Sequence, residues 1–383
     1  MWVDKKTAFL VVHGVGEQNP YESLDSFVRN FWDLLKEENK AKITGHHKHQ
    51  KRNGWIDNYV SLGIDKASKP DIDFYEYYWA HIPQRKVNLQ EIYDWLLATS
   101  KGAKEFYDEN NELAAKYEGL GSKAFENGTF KKHWYLKHVS LIFRLLTLVK
   151  SIPLIEKIPL LKYLEPLISL FIRKAEKLII DYIGDVVVYT STDIKAKTFE
   201  TRKQILGGAV ERLRLLIEDD RYEQIIVVGH SLGTVISYDA LNRINLEMNV
   251  DETLRKKAEK VTGFITFGSP LDKIAFFFRE RTVKDEFIRR QILEHFHGFK
   301  SLSLNTKKDK IKISNPYEPY LDKHVYWMNF WDNQDPVSGN LDFYKVDENI
   351  LLEQDSSFGF AHTTYWSHQK MYKKIADSYL KPS

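Results

Sequence analysis

Residues 224–245 read QIIVVGHSLGTVISYDALNRIN, and three patterns follow one another inside them. Ile225, Ile226, Val227 and Val228 form an unbroken apolar run without alternation, which suits a parallel strand buried on both faces. Val235, Ile236, Tyr238, Leu241 and Ile244 then recur at helical spacing. Between them lies Gly229-His230-Ser231-Leu232-Gly233, a G-x-S-x-G pentapeptide. In such a strand–turn–helix the serine occupies a strained turn and small neighbours let strand and helix approach closely. Its hydroxyl then stands above the end of the sheet, at the start of a helix. Ser231 is therefore a candidate nucleophile; the bland alternative is a small residue at a tight helix entry.

Other strands are expected on either side of this unit. Thr7 to Val12 reads as a first buried strand, running into the glycine-containing loop His13-Gly14-Val15-Gly16-Glu17-Gln18. Such a loop exposes backbone N–H groups at a strand's carboxyl end, where open α/β sheets bind ligands. Ser23 to Glu38 carries Leu24, Phe27, Val28, Phe31, Leu34 and Leu35 at helical spacing. Lys40 to Asn53 is polar and holds His46, His47 and His49; it reads as a solvated loop, because a metal site needs three or four convergent ligands. Ile72 to Ala80 is rich in aromatic residues and reads as a second strand. About a hundred residues of mostly helical pattern then interrupt the alternation. Gly184 to Thr190 is expected to lead back towards the sheet, and a helix from Thr198 to Asp219 leads into the Ser231 strand. Val261 to Phe267 and Val325 to Trp331 are further strands, and a terminal helix spans Tyr365 to Tyr379.

Composition bounds the function. The 383 residues are 43% hydrophobic and 28% charged, ordinary values for a chain able to bury a core. A net charge of +3 does not argue for nucleic acid. The absence of cysteine excludes disulfides, thiolate metal sites and a thiol nucleophile, and fits a cytoplasmic protein. No signal peptide is expected at the N-terminus, and no apolar window approaches the ~18 residues of a membrane span, so a soluble or peripheral protein is expected.

A serine hydroxyl needs a histidine to take its proton and a carboxylate to orient that histidine. Candidates are available in the chain order serine, acid, histidine. The segments VVHGVG, IIVVGHSLGTVISYDAL, FITFGSP, NFWDNQDPV and AHTTYW, spread from residue 10 to residue 366, resemble the α/β-hydrolase superfamily of lipase and esterase type. The resemblance implies an α/β fold with a mostly parallel central sheet flanked by helices, one domain over 1–383, and a helical cap or lid insertion at 85–183. It implies Ser231 as nucleophile, Asp335 as acid, His362 as base, and the Val15 and Leu232 N–H groups as oxyanion hole, without metal or organic cofactor. Asp332 and Asp342 rival Asp335, as His324, His368, His295 and His297 rival His362. His13 and His230 are expected beneath the site, holding loops by hydrogen bonds. Ser269 reads as structural. Unlike common lipases, the chain lacks the strands that usually precede the His-Gly strand, which leaves one edge of the sheet open.

Residues 131–180 hold ten Lys and Arg against three Glu, a net of +7 in a chain of net +3. Apolar helical stretches flanked by Lys and Arg suit an anionic membrane surface, and equally a packed cap or a homo-oligomer interface. The expected activity is hydrolysis of carboxylic esters, with acyl lipids as the substrate class. The alternatives are an acyltransferase or thioesterase with the same three residues, or an inactive membrane-associated scaffold.

Overall fold

The computed structural model describes residues 5–14, 19–39, 42–52, 55–64, 70–82, 97, 101–105, 107–108, 111–119, 125–131, 189, 197–272, 274, 286–300, 311–332, 335, 337–352 and 361–381. Two compact units divide the chain. The larger comprises Met1–Ile82, Lys203–Asp272 and Lys284–Ser383, and the smaller Pro83–Arg202 with Lys273–Val283.

In chain order the larger unit holds β1 (Thr7–Val12), α1 (Glu22–Asn39), β2 (Ile43–Arg52), β3 (Trp55–Ile64) and β4 (Ile72–Tyr77). The smaller contributes α2 (Asn111–Gly119), β5 (Phe125–Glu126) and β6 (Thr129–Phe130). Helix α3 (Lys197–Glu218) leads back into the larger unit, which continues with β7 (Gln224–His230), α4 (Leu232–Met248), α5 (Glu252–Ala258), β8 (Val261–Phe267), α6 (Phe287–Phe296), β9 (Tyr326–Trp331), β10 (Glu348–Leu351), α7 (Ala361–Thr364) and α8 (Gln369–Tyr379). Eight strands make one sheet in the order β10-β9-β8-β7-β1-β4-β3-β2. The six from β10 to β4 run parallel, and the β2–β3 hairpin closes the edge antiparallel. This is an α/β architecture with a mostly parallel sheet.

Alternation along the central strands sends side chains to two faces. Phe9 and Val11 of β1, Ile226 and Val228 of β7, and Ile265 and Phe267 of β8 share one core with α1 and α8. There Phe9 stacks on Phe74 (5.1 Å) and packs against Phe27 (5.8 Å) and Phe31 (5.4 Å). Each such fully buried aromatic contributes about 1.5–3 kcal/mol. Helix α4 packs on the opposite face, against β7 and β1. Helix α3 approaches β4 through Tyr77, whose hydroxyl donates to the Ile205 carbonyl (2.7 Å).

Several expectations change. Within the stretch expected to be a loop, Ile43–Arg52 is an edge strand paired with Trp55–Ile64. Its His46, His47 and His49 are exposed and only Ile43 reaches the core, so the strand carries no apolar alternation. The hairpin occupies the sheet edge that the sequence left open, and Ile72–Tyr77 is accordingly the fourth strand, not the second. The terminal helix begins at Gln369, because His368 adopts an extended backbone (ψ 96°) after a 3-10 turn at Tyr365–Ser367. In the smaller unit, the stretch expected to be mostly helical also holds the β5–β6 hairpin. Its Asn127-Gly128 turn has φ of 51° and 67°, the left-handed pair that a two-residue hairpin needs. Tyr107 packs edge-on against Phe125 there (4.8 Å). Most of the expected 85–183 insertion, the +7 stretch beyond Lys131, and 184–190 apart from Tyr189 lie outside the described residues. No helix among the described residues is long and apolar enough to cross a membrane.

Candidate active site

From β1 the chain moves out to β4, and from β7 it moves the other way to β8, so the switch in strand order falls between β1 and β7. Open α/β sheets leave a crevice at that point, beyond the strands' carboxyl ends. Gly14, at the end of β1, and Ser231, at the end of β7, meet there. A Cβ on Gly14 would lie 2.7 Å from Ser231 Cβ and 3.2 Å from His230 Nδ1, so only glycine permits the approach.

Ser231 is the N-cap of α4 and has φ 52° and ψ −128°, a backbone conformation that L-residues rarely adopt. Its neighbours hold that turn. The Ser231 N–H donates to the Phe267 carbonyl (3.1 Å), and its own carbonyl accepts from the Thr234 N–H (3.0 Å) and the Thr234 hydroxyl (2.7 Å). Thr234 Oγ1 is also 2.8 Å from Ser269 Oγ, which gives Ser269 its structural part. A Cβ on Gly233 would overlap the Val12 and His13 carbonyls, and one on Gly229 would overlap the Thr234 backbone. The flanking glycines thus let α4 start against β1 and β7. With its backbone so fixed, Ser231 Oγ makes no hydrogen bond to any described residue.

His362 and Asp335 reach the same end of the sheet from α7 and from the loop after β9. His362 Nδ1 is 2.8 Å from Asp335 Oδ2, with both side chains buried. Asp335 Oδ1 accepts the Val337 N–H (2.8 Å), and Oδ2 accepts the Tyr365 hydroxyl as well (3.0 Å). Of the rival acids, Asp342 accepts from Asn340 Nδ2 (2.9 Å) instead. His362 adjoins Ser231 through two shared neighbours. Its ring centroid is 5.0 Å from that of His230, and a Cβ on Gly268, which has φ +63°, would lie 3.0 Å from His362 Cε1. Gly268 directly follows the Phe267 whose carbonyl binds the Ser231 amide.

The other two histidines lie beneath. His230 Nε2 is 3.0 Å from the His362 carbonyl, which fixes Nε2 as the protonated nitrogen and ties β7 to α7. His13 Nε2 accepts the Trp79 N–H (3.1 Å), so Nδ1 carries the proton that it donates to the Gly14 carbonyl (2.7 Å). The Trp79 indole stacks on that imidazole (5.1 Å, 3°) and donates to the His13 carbonyl (2.9 Å). Burial pushes His230 down to about 3 and His13 down to about 4, so both stay neutral at pH 7.

Leu232 opens α4, with its N–H at the free amide end of the helix; Val15 lies outside the described residues. Trp79, Tyr365 and the Val337 amide support the site and were not anticipated as site groups. The position of Tyr365 three residues after His362 was the available signal for one of them. No group of three or more His, Cys, Asp or Glu able to hold a metal ion occurs among the described residues. Comparison with protein-family models, with curated proteins and with solved structures returned no match.

Proposed function

We propose that this protein has the α/β-hydrolase fold and is a serine hydrolase that cleaves carboxylic esters. The observation that carries the reading is the His362 Nδ1–Asp335 Oδ2 hydrogen bond of 2.8 Å at the strand ends that hold Ser231 on its positive-φ turn. In this mechanism His362 takes the Ser231 proton as Oγ attacks the ester carbonyl, and Asp335 stabilises the imidazolium that forms. The Leu232 and Val15 N–H groups receive the oxyanion charge. The tetrahedral intermediate collapses to an acyl-enzyme as His362 gives its proton to the leaving alcohol, and water activated by the same base then releases the acid. His230 contributes by staying neutral beside His362, so the imidazolium meets no second positive ring. Ser231 and His362 are both buried.

The substrate class rests on the sequence. The excess of seven positive charges in residues 131–180 (ten Lys and Arg, three Glu) accompanies apolar helical stretches and supports acyl lipids taken from an anionic surface. Charge reversal of Lys150, Lys157, Lys162 and Lys174 to Glu would then weaken sedimentation with phosphatidylglycerol vesicles and spare hydrolysis of a short soluble ester. Equal vesicle binding by the reversed variant would remove the membrane from the proposal.

The nucleophile is tested with a fluorophosphonate probe. Labelling is expected at Ser231, and Ser231→Ala should lose both label and ester hydrolysis by several orders of magnitude. Labelling of another serine, or full activity of the alanine variant, would falsify the assignment.

A further inference from the structure

Asp335 Oδ2 receives two donors, and they come from one short segment. His362 Nδ1 lies 2.8 Å from it and the Tyr365 hydroxyl 3.0 Å, while the Val337 N–H takes Oδ1 at 2.8 Å. We propose that Tyr365 is a positioning residue for the reaction, fixing the rotation of the Asp335 carboxylate so that Oδ2 faces His362. This rests on the hydrolase reading above.

The geometry supports a directional role. Asp335 sits in a loop beyond β9, and His362 sits on α7, so the two must be held in register across separate connections. Tyr365 is three residues after His362 and touches the same carboxylate oxygen, so one chain turn delivers both base and clamp. Its ring cannot swing away. Tyr365 is fully buried, packs on Phe267 (5.9 Å) and meets the His362 ring edge-on (6.4 Å, 89°). The phenol oxygen is also 3.2 Å from Ser338 Oγ, which restricts where its proton points. Burial, followed by the charge of Asp335, pushes the Tyr365 hydroxyl well above its ordinary range, so it remains a donor at any working pH. With the phenol removed, only Val337 and His362 of these three donors define the carboxylate plane, and rotation about the Cβ–Cγ bond can turn Oδ2 from the imidazole.

Phenylalanine at this position keeps the ring and removes the donor. Tyr365→Phe is expected to lower kcat about 10- to 100-fold with KM little changed, the size expected when a hydrogen bond to a charged group is lost. The titratable groups facing this pair are His362, His230 and Asp332. Of these His230 stays neutral, so the acid limb of the kcat/KM profile reports His362. A carboxylate turned from the imidazole stabilises the imidazolium less, so that limb should move to lower pH. Tyr222→Phe is the control, because it deletes a buried hydroxyl 2.8 Å from the buried Asp73 at the other end of the sheet. It should cost comparable stability and leave kcat and the acid limb alone. A Tyr365→Phe enzyme within twofold of wild type, or one whose losses Tyr222→Phe reproduces, overturns the inference. The low-field proton NMR signal of His362 Nδ1–H, read in both variants, separates this from failure of the hydrolase reading. If wild type neither labels at Ser231 nor hydrolyses esters, the catalytic reading is lost and the positioning role with it. An unchanged His362 signal in Tyr365→Phe overturns the clamp independently of activity.

Discussion

Asp335 and Asp73 are two buried aspartates, each bonded to a buried tyrosine, at opposite ends of one sheet. At the amino end, Asp73 Oδ1 is 2.8 Å from Lys6 Nζ and 2.6 Å from Ser61 Oγ, and Oδ2 accepts the Tyr222 hydroxyl at 2.8 Å. Tyr75 extends the chain, its hydroxyl 2.5 Å from that of Tyr222. A lysine opposes the buried charge there, and the network ties β1, β3 and β4 together. At the carboxyl end, the donors described around Asp335 are an imidazole, a phenol and a backbone amide. A carboxylate held this way keeps much of its charge for a neighbour that becomes positive, and that neighbour is His362. The difference separates a buried charge that holds strands together from one arranged to respond to a proton.

Replacing each aspartate by asparagine should break this comparison most sharply. Asp335→Asn preserves shape and is expected to lower turnover by about 10⁴-fold, because the amide cannot stabilise an imidazolium. The fold should survive, as read by circular dichroism. Asp73→Asn should do the reverse, leaving Lys6 with a partly buried charge and no ionic partner in Asp73. A loss of about 3 kcal/mol in urea unfolding, with kcat retained, is expected. If Asp335→Asn costs only stability, or Asp73→Asn costs only turnover, the two ends have been assigned the wrong roles.

The same contrast explains what could be read from the sequence. Thr7–Val12 and Val261–Phe267 were legible to the residue, because strands covered on both faces are continuous apolar runs. Ile43–Arg52 was not, since an edge strand rich in histidine and lysine carries no apolar alternation; the Asn53-Gly54 dipeptide in the sequence was its one local signal. Ser231, Asp335 and His362 were legible as candidates because each follows a recognisable strand or precedes an aromatic pair in chain order. Their supports were not. Trp79 bonds His13 across 66 residues and Tyr365 bonds Asp335 across 30, and such tertiary contacts leave no periodicity behind. Lys6, Ser61 and Asp73 at the amino end were invisible for the same reason.

Acid should act on the two ends unequally. His13 and His230 lie under the carboxyl end, and burial lowers them to about 4 and about 3 from an ordinary value of 6.5. Both folded values lie below the unfolded one, so the penalty is absent above pH ~7 and grows as pH falls through 6.5, because only the unfolded chain takes up these protons. Each histidine contributes up to ~1.4 kcal/mol per pH unit until its folded value is reached. Urea midpoints measured from pH 7 to pH 4.5 should therefore fall. In His13→Gln the fall should be shallower by about one histidine's share, whatever that variant's stability at pH 7. A slope identical to wild type would mean that His13 takes up its proton equally in the folded and the unfolded protein.

The smallest effect concerns strain, and it reverses sign between the two ends. Ser231 holds φ 52° and ψ −128°, and its hydroxyl bonds to no described residue, so its side chain contributes little to stability while its backbone is strained. Glycine adopts that conformation freely, and relief of such strain is worth about 1–3 kcal/mol, offset by roughly 0.5–1 kcal/mol of extra chain entropy in the unfolded state. Ser231→Gly should therefore raise the thermal midpoint slightly while removing the nucleophile. Ser61 is also a buried serine, but it lies in β3 and its hydroxyl is 2.6 Å from Asp73. Ser61→Gly gives up that bond and weakens a strand, so it should lower the midpoint by an amount equivalent to about 1–3 kcal/mol. Scanning calorimetry of the two variants reads both signs. Destabilisation by Ser231→Gly would show that the turn is held by its side chain, and the strained-nucleophile account of the carboxyl end would then fail.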